Sequence, residues 1–144
     1  MPKFMPSGGV HHDVLGSEGR VAFWSWGDPD WPLVICLHGW GGRATQWSAL
    51  ANRLLAAEHR VVALDAPAHG ASDGDRASLP AFRNALLRVI ETAGEPTALV
   101  GHSLGGLAVL GWDGQSGASH CRQLIGGWHN RADVTGDRAD HLDR

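Results

Sequence analysis

A serine flanked by glycines is the residue in this sequence best suited to covalent chemistry. Ser103 lies in the run Gly101-His102-Ser103-Leu104-Gly105, directly after the apolar stretch that ends at Val100. A Gly-x-Ser-x-Gly motif between a strand and a helix places its serine on a sharp, strained turn with the hydroxyl exposed. Gly101 and Gly105 leave room for the close backbone approach that this turn requires. The sequence therefore predicts a nucleophile elbow at 101–105, with Ser103 as the catalytic nucleophile.

A second glycine-rich segment follows another apolar run and reads His38-Gly39-Trp40-Gly41-Gly42. A flexible loop at a strand end can aim a backbone N–H at the serine, and the second such donor belongs to the residue after the nucleophile. We expect the N–H groups of Trp40 and Leu104 to form an oxyanion hole, which stabilises the charge that develops on a substrate oxygen. His38 and Gly39 then belong to the oxyanion loop. The alternative is an ordinary glycine turn with a buried indole.

The hydrophobic pattern predicts the elements that must hold these two loops. Residues 10–26 alternate around a glycine-containing turn at 16–19, which is typical of an antiparallel hairpin. Helical patterns span 45–58, with Thr45 as the candidate N-cap, and 79–93, which ends at a glycine. Continuous apolar runs predict three buried strands, at 33–37, 61–64 and 97–100. This alternation predicts an α/β fold with a mostly parallel sheet, an N-terminal antiparallel hairpin and crossover helices.

A third motif closes the second buried strand. It reads Asp65-Ala66-Pro67-Ala68-His69-Gly70-Ala71-Ser72. In order, His-Gly-Trp-Gly-Gly, Asp-x-Pro-x-His-Gly-x-Ser and Gly-His-Ser-Leu-Gly-Gly resemble the N-terminal half of the α/β-hydrolase superfamily, in its branch of small serine esterases, lipases and carbon–carbon hydrolases. The resemblance covers about residues 10–112. It implies a partial α/β-hydrolase fold and a serine hydrolase that takes a small-molecule acyl substrate with an ester-like bond.

The resemblance also has implications for single residues. In that superfamily the Asp-x-Pro loop is structural, so Asp65 and His69 are expected to support the loop rather than to belong to a catalytic triad. Ala68 stands where many relatives have glycine, which implies a modest change in the turn. Relatives that act as epoxide hydrolases or haloalkane dehalogenases have aspartate in place of Ser103. Those two chemistries are therefore not expected.

The motifs described so far do not include a general base and an acid for Ser103. A serine hydroxyl needs a general base that a carboxylate orients, and the chain order in this fold is serine, acid, histidine. The resemblance implies that both follow later strands, usually more than a hundred residues beyond the serine, whereas this chain ends at residue 144. We therefore expect a truncated hydrolase that lacks its triad acid and base. The tail offers candidates by composition only, namely Asp113, Asp133, Asp137, Asp140 and Asp143 as the acid, and His120, His129 and His141 as the base.

The hydrophobic pattern weakens after residue 112. We divide the chain into 1–112, the N-terminal part of an α/β-hydrolase domain, and a tail at 113–144, where Leu124-Ile125 indicates one further strand before a disordered end. Two alternatives to an enzyme follow. The chain could be a truncated or frame-altered product without activity, including one that forms a homodimer through an open sheet edge. It could also be a non-catalytic binding module that keeps the pocket.

Composition limits the partners and the compartment. The 144 residues carry a net charge of −3 and are 43% hydrophobic, which is typical of a globular domain and provides no basic field for nucleic acid. The two cysteines form no metal or disulfide motif, and no apolar run reaches the roughly 18 residues of a membrane span. We expect a cytoplasmic protein with no cofactor and no membrane partner. His11 and His12 are not expected to bind a metal, because adjacent strand residues point to opposite faces.

Overall fold

The computed structural model describes residues 5–110, 122–126 and 131–133, with side chains in the first range. Its strands are β1 (Val10–Gly16), β2 (Gly19–Trp26), β3 (Leu33–Leu37), β4 (Arg60–Leu64), β5 (Ala98–His102), β6 (Arg122–Gly126) and β7 (Arg131–Asp133). Its helices are a 3-10 helix (Ala44–Trp47), α1 (Ser48–Ala56), α2 (Leu79–Ala93) and α3 (Leu104–Leu110). The predicted α/β class, with its hairpin and crossover helices, is confirmed.

The strands form one sheet in the order β1-β2-β4-β3-β5-β6-β7. The hairpin β1-β2 is antiparallel, and β2 joins β4 in antiparallel register. The strands β4, β3, β5 and β6 are all parallel. Because β3 lies between β4 and β5, the loops that follow these three strands meet at one edge of the sheet. That edge therefore brings together all three motifs of the sequence.

Two apolar clusters, one on each face, bury the central strands. Phe82 and Leu86 of α2 belong to one cluster, while Trp26 of β2 and Trp47 of the 3-10 helix belong to the other. Every residue of β3 is buried, which explains why this strand is a continuous apolar run rather than an alternating one. Each large side chain that is buried contributes about 2 kcal/mol. The loops at the sheet edge therefore follow strands that are held in place by packing on both faces.

Helix α2 shows how closely local signals set an element. The Ser78 side chain accepts a hydrogen bond from the N–H of Ala81 at 3.2 Å, which caps the first turn. The helix ends where Gly94 adopts a φ of 112°, a conformation that other residues rarely take. The predicted range of 79–93 is therefore confirmed.

The first crossover begins differently from the expectation. The prediction that Thr45 is the N-cap is wrong, because Thr45 lies inside the 3-10 helix. The residue before that helix is Arg43, which is extended and whose side chain makes no capping hydrogen bond. The free N–H of Ala44 instead donates to the Asp65 carboxylate at 2.7 Å. The Asp65 carboxylate, in the loop after β4, thus caps the start of this segment. The α-helical part is shorter than predicted and spans Ser48–Ala56.

Two strands lie in the segment where the sequence indicates one. β6 includes the anticipated Leu124-Ile125 and pairs in parallel with β5, while the short β7 pairs antiparallel with β6. Residues 111–121, 127–130 and 134–144 lie outside the described residues, and so do the candidate triad members of the tail except Asp133, whose backbone belongs to β7. Among the described helices, none has the length and apolar character needed to cross a membrane.

Candidate active site

Ser103 occupies the turn between β5 and α3. Its φ is +56°, in the left-handed region, and the residue is exposed. An L-residue in this conformation costs roughly 1–2 kcal/mol, so the surrounding structure must enforce it. The carbonyl of Ser103 accepts the N–H of Leu107 at 3.2 Å, which starts α3 immediately after the serine. This is the predicted strand-turn-helix setting of a nucleophile elbow.

The two glycines of the motif make the turn sterically feasible. A Cβ atom on Gly101 would lie 2.6 Å from the carbonyl oxygen of Gly105 and from the Cα of Gly106. A Cβ atom on Gly105 would collide with the carbonyl oxygens of Leu37 and His38. These neighbours are backbone atoms, which cannot move away as a side chain could. Helix α3 therefore packs directly against β5 at Gly101, and against the end of β3 through Gly105.

The glycine loop at 38–42 lies against the turn at Ser103. A Cβ atom on Gly39 would approach the carbonyl oxygen of His102 to 2.7 Å and the Cβ of Ser103 to 2.9 Å. Parallel neighbouring strands, β3 and β5, place the two loops side by side. The Trp40 side chain is 70% exposed, so the alternative of a buried indole is wrong. The role predicted for Trp40 therefore concerns its backbone N–H and not its ring.

Hydrogen bonds fix the peptide that carries the Trp40 N–H. The carbonyl of Gly39 accepts the N–H of Gly42 at 3.0 Å and the Nδ1–H of His38 at 2.7 Å. The φ of +77° at Gly41 makes residues 39–42 a type II turn. In a trans peptide the N–H points away from the carbonyl of the same unit, so holding the Gly39 carbonyl sets the direction of the Trp40 N–H.

Two backbone donors are free beside the serine. Within the described part of the chain, neither the N–H of Trp40 nor that of Leu104 donates a hydrogen bond. Both belong to residues that adjoin the Gly39–Ser103 contact. Unpaired N–H groups held by a rigid backbone are what an oxyanion hole requires. The pairing of Trp40 with Leu104 remains a prediction, supported by this arrangement.

His38 is buried and held in one neutral form. It is 0% exposed, its Nδ1–H donates to Gly39, and its Nε2 accepts the N–H of Ala66 at 2.9 Å. Burial lowers the pKa of His38 to about 4, and the neighbouring His69 acts in the same direction, while the hydrogen bond to the Gly39 carbonyl opposes the shift. With both ring nitrogens engaged, His38 has no lone pair to offer the serine.

His69 and Asp65 support the loops, as the resemblance implies. The Nε2 of His69 accepts the N–H of Gly41 at 2.8 Å, and its Nδ1–H donates to the carbonyl of Pro67 at 3.0 Å. The carboxylate of Asp65 accepts from the N–H of Ala44 at 2.7 Å and from that of Ala71 at 2.9 Å. Neither side chain is available as a triad member.

The histidines thereby exchange hydrogen bonds between the loops after β3 and β4. His38, in the first loop, accepts a backbone N–H from the second, and His69, in the second, accepts one from the first. Sequence reasoning assigned His69 a general structural role but missed this exchange. The signal for it was the His-Gly pair repeated at the ends of two neighbouring strands.

Two other features lie away from the serine. An open cavity of about 350 Å³ is lined by Trp24, Arg43 and Gly70 among others, but not by Ser103. On β1, His11 stacks on Trp24 and His12 on Phe23, so the adjacent rings point to opposite faces of the sheet, as strand geometry predicts. Their Nε2 atoms have separate partners, Asp13 for His11 and Ser25 for His12.

Comparison with known proteins places this geometry in a family. The model of the alpha/beta hydrolase family matches residues 34–136. The dihydrolipoyllysine-residue acetyltransferase component of the acetoin cleaving system of Pseudomonas putida is 39% identical over 99 residues, which are 64% of this chain and 26% of that protein. A rice protein (Oryza sativa subsp. indica) named probable esterase PIR7A is 41% identical over 80 residues, or 52% of this chain and 30% of that protein.

The fold is also similar to that of solved structures. The thioesterase domain from the curacin biosynthetic pathway superposes with a TM-score of 0.65 at 30% identity, covering 72% of this chain and 40% of that one. The chain thus spans about a quarter to a third of the two curated relatives named here. On the family match over most of its length, and on the fold it shares with a solved relative, this chain belongs to the α/β-hydrolase family.

Proposed function

We propose that this protein is a serine hydrolase that cleaves a carboxylic ester or a related acyl bond, with Ser103 as its nucleophile. The observation that carries the proposal is the left-handed turn at Ser103, which presents an exposed hydroxyl next to the glycine loop at 38–42. Residues held in such strained backbone conformations cluster at functional sites, where the strain positions a side chain for chemistry. The names of the rice relative and of the solved thioesterase domain, which denote acyl cleavage, support the same class of reaction.

The reaction divides into two steps. In the first, Ser103 Oγ forms a bond to the acyl carbon, its proton passes to a general base, and the alcohol leaves with a proton. In the second, water attacks the acyl-enzyme, and the carboxylic acid and the free serine are released. The N–H groups of Trp40 and Leu104 are the proposed donors to the oxyanion in both steps, each worth roughly 3–4 kcal/mol in the transition state.

The general base must lie outside the loop histidines. His38 and His69 use both ring nitrogens in hydrogen bonds to the backbone, and Asp65 accepts two backbone N–H groups. Ser103 has no hydrogen-bond partner for its hydroxyl among the described residues. The base is therefore to be sought by replacing the tail histidines one at a time, beginning with His120, His129 and His141.

Hydrolysis of p-nitrophenyl acetate and labelling by a fluorophosphonate probe test the proposal on the full chain. Ser103→Ala is compared with Ser17→Ala, which removes another exposed hydroxyl, from the hairpin turn. We expect wild type and Ser17→Ala to be labelled at Ser103, as peptide mass spectrometry would show, and Ser103→Ala to lose both labelling and turnover.

Two results would overturn the proposal. Turnover that survives Ser103→Ala would place the reaction at another residue. A folded wild-type chain that neither reacts with the probe nor hydrolyses the ester would count against hydrolase activity and favour the alternatives, an inactive truncated product or a non-catalytic binding module. Folding is checked in every sample by near-ultraviolet circular dichroism, for which the buried Trp26 and Trp47 provide the signal.

A further inference from the structure

His69 stands at a junction between the two loops and the core. Its ring lies 5.6 Å from that of Phe82, the fully buried anchor of α2, and 5.9 Å from the indole of Trp40, edge to face in both cases. The ring of His38 lies 5.0 Å away on another side. The imidazole is thereby fixed in position, and its Nδ1–H is committed to the carbonyl of Pro67. The Nε2 lone pair is consequently a rigid acceptor.

That acceptor holds the centre of the oxyanion turn. Type I and type II turns differ by a rotation of the central peptide, which here joins Trp40 to Gly41. The hydrogen bond from the Gly41 N–H to His69 Nε2, at 2.8 Å, is compatible only with the orientation that the type II turn gives this peptide. Gly41 itself offers no resistance to rotation, because a glycine visits both signs of φ readily. Without His69, the central peptide between Trp40 and Gly41 loses the contact that holds its orientation and ties the turn to the second loop.

We propose that His69 is a positioning residue for the oxyanion hole, acting through Gly41 to anchor the turn that carries the Trp40 N–H beside Ser103. The inference rests on the proposed hydrolase function. It differs from a general structural role because the two loops are also joined by the Ala66–His38 and Ala44–Asp65 hydrogen bonds. Those two contacts would continue to hold the loops together after the loss of His69. The turn at 39–42 would keep its two hydrogen bonds to the Gly39 carbonyl, but its centre would lose the anchor to the second loop.

Two substitutions of His69 distinguish the effect of losing the hydrogen-bond acceptor from the effect of losing the ring. His69→Phe keeps an aromatic ring against Phe82 and removes the acceptor, whereas His69→Gln supplies a side-chain amide oxygen that can accept from Gly41. His11→Gln, on the exposed face of β1, is the matched control for loss of a histidine. We expect His69→Phe to lower kcat for p-nitrophenyl acetate by tenfold to a hundredfold with KM unchanged, and His69→Gln to recover activity to within about threefold of wild type, because oxyanion donors act in the transition state.

A readout independent of turnover accompanies the kinetics. Amide hydrogen exchange followed by NMR should show a faster exchange of the Gly41 N–H in His69→Phe, with protection retained at Ile35 in the buried strand β3. Unchanged exchange at Gly41 overturns the inference whether or not the protein is active. Equal losses in kcat/KM for His69→Phe and His69→Gln, or a rise in KM alone, overturn it as well. Absence of Ser103-dependent turnover in wild type overturns the proposed function itself, and is seen before any variant of His69 is compared.

Discussion

Acid is expected to destabilise this fold through His38. The imidazole is fully buried, and its Nε2 lone pair accepts the N–H of Ala66 at 2.9 Å. Protonation would place a second N–H against that donor, and would also put a charge where water cannot reach it. Burial therefore lowers the pKa of His38 from 6.5 to about 4.

The sign and size of the effect follow from proton linkage. Between pH 6.5 and pH 4 the unfolded chain binds a proton at His38 that the folded protein does not, so the free energy of unfolding falls as the pH falls through this window. Each unit by which the pKa of His38 differs between the unfolded and the folded chain changes the free energy of unfolding by up to about 1.4 kcal/mol. The loss contributed by His38 is therefore about 2 kcal/mol between pH 7 and pH 5, and approaches 3 kcal/mol near pH 4.

Urea unfolding of wild type and His38→Gln at pH 7 and pH 5 measures this contribution. A glutamine does not titrate, and its amide can still donate and accept hydrogen bonds. Burial also lowers the pKa of His12, but that residue is present in both proteins and its contribution cancels in the comparison. We expect wild type to lose about 2 kcal/mol more than the variant over this interval.

Equal pH dependence in the two proteins would refute the reasoning about His38. An NMR titration of the imidazole resonances of wild type provides a second test, which holds even if His38→Gln fails to fold. A His38 that titrates above pH 6 in the folded protein would show that burial and the contact with Ala66 do not disfavour its charge.

Four further substitutions test the turns around the site. Ala68 has a φ of +66°, so Ala68→Gly should raise the free energy of unfolding by about 1 kcal/mol in urea titrations, and an unchanged value would show that the turn is not strained. Gly101→Ala should cost about 2–3 kcal/mol and abolish probe labelling, because its Cβ would lie 2.6 Å from backbone atoms. Trp40→Pro keeps a residue favoured at this place in a type II turn but deletes the N–H, so kcat should fall by about a hundredfold or more. Trp40→Ala keeps the N–H and loses the exposed indole with its edge-to-face contact on His69, so it should lower kcat far less than Trp40→Pro does.

The sequence was sufficient for elements whose signals are local. The strands at 33–37 and 61–64 are continuous apolar runs, and helix 79–93 has its cap at Ser78 and its stop at Gly94. The start of the first crossover could not be found this way, because the N–H of Ala44 is satisfied by a carboxylate 21 residues further along the chain. A cap supplied from such a distance leaves no pattern near the helix it begins.

The same distinction applies to the site. The position of Ser103 beside Gly39 follows from parallel strands that end at one sheet edge, and could be anticipated from three motifs in order. The left-handed φ at Ala68 could not, because alanine there signals nothing about backbone strain. The expectation of a modest change at this position concerned size alone, whereas the structure shows that the cost of replacing glycine is conformational.

The two paired histidines have a hydrogen-bonding capacity that no charged side chain could supply at their positions. Each ring donates through Nδ1 to a carbonyl of its own loop and accepts through Nε2 from an N–H of the opposite loop. A lysine or arginine has no acceptor, and a carboxylate has no donor, so neither could bridge a carbonyl and an N–H at once. A neutral imidazole does both from one rigid ring, whereas a glutamine amide would do so from a flexible side chain. Burial lowers the pKa of His38 to about 4, and protonation there removes the acceptor that holds the N–H of Ala66, so this link between the two loops weakens in acid.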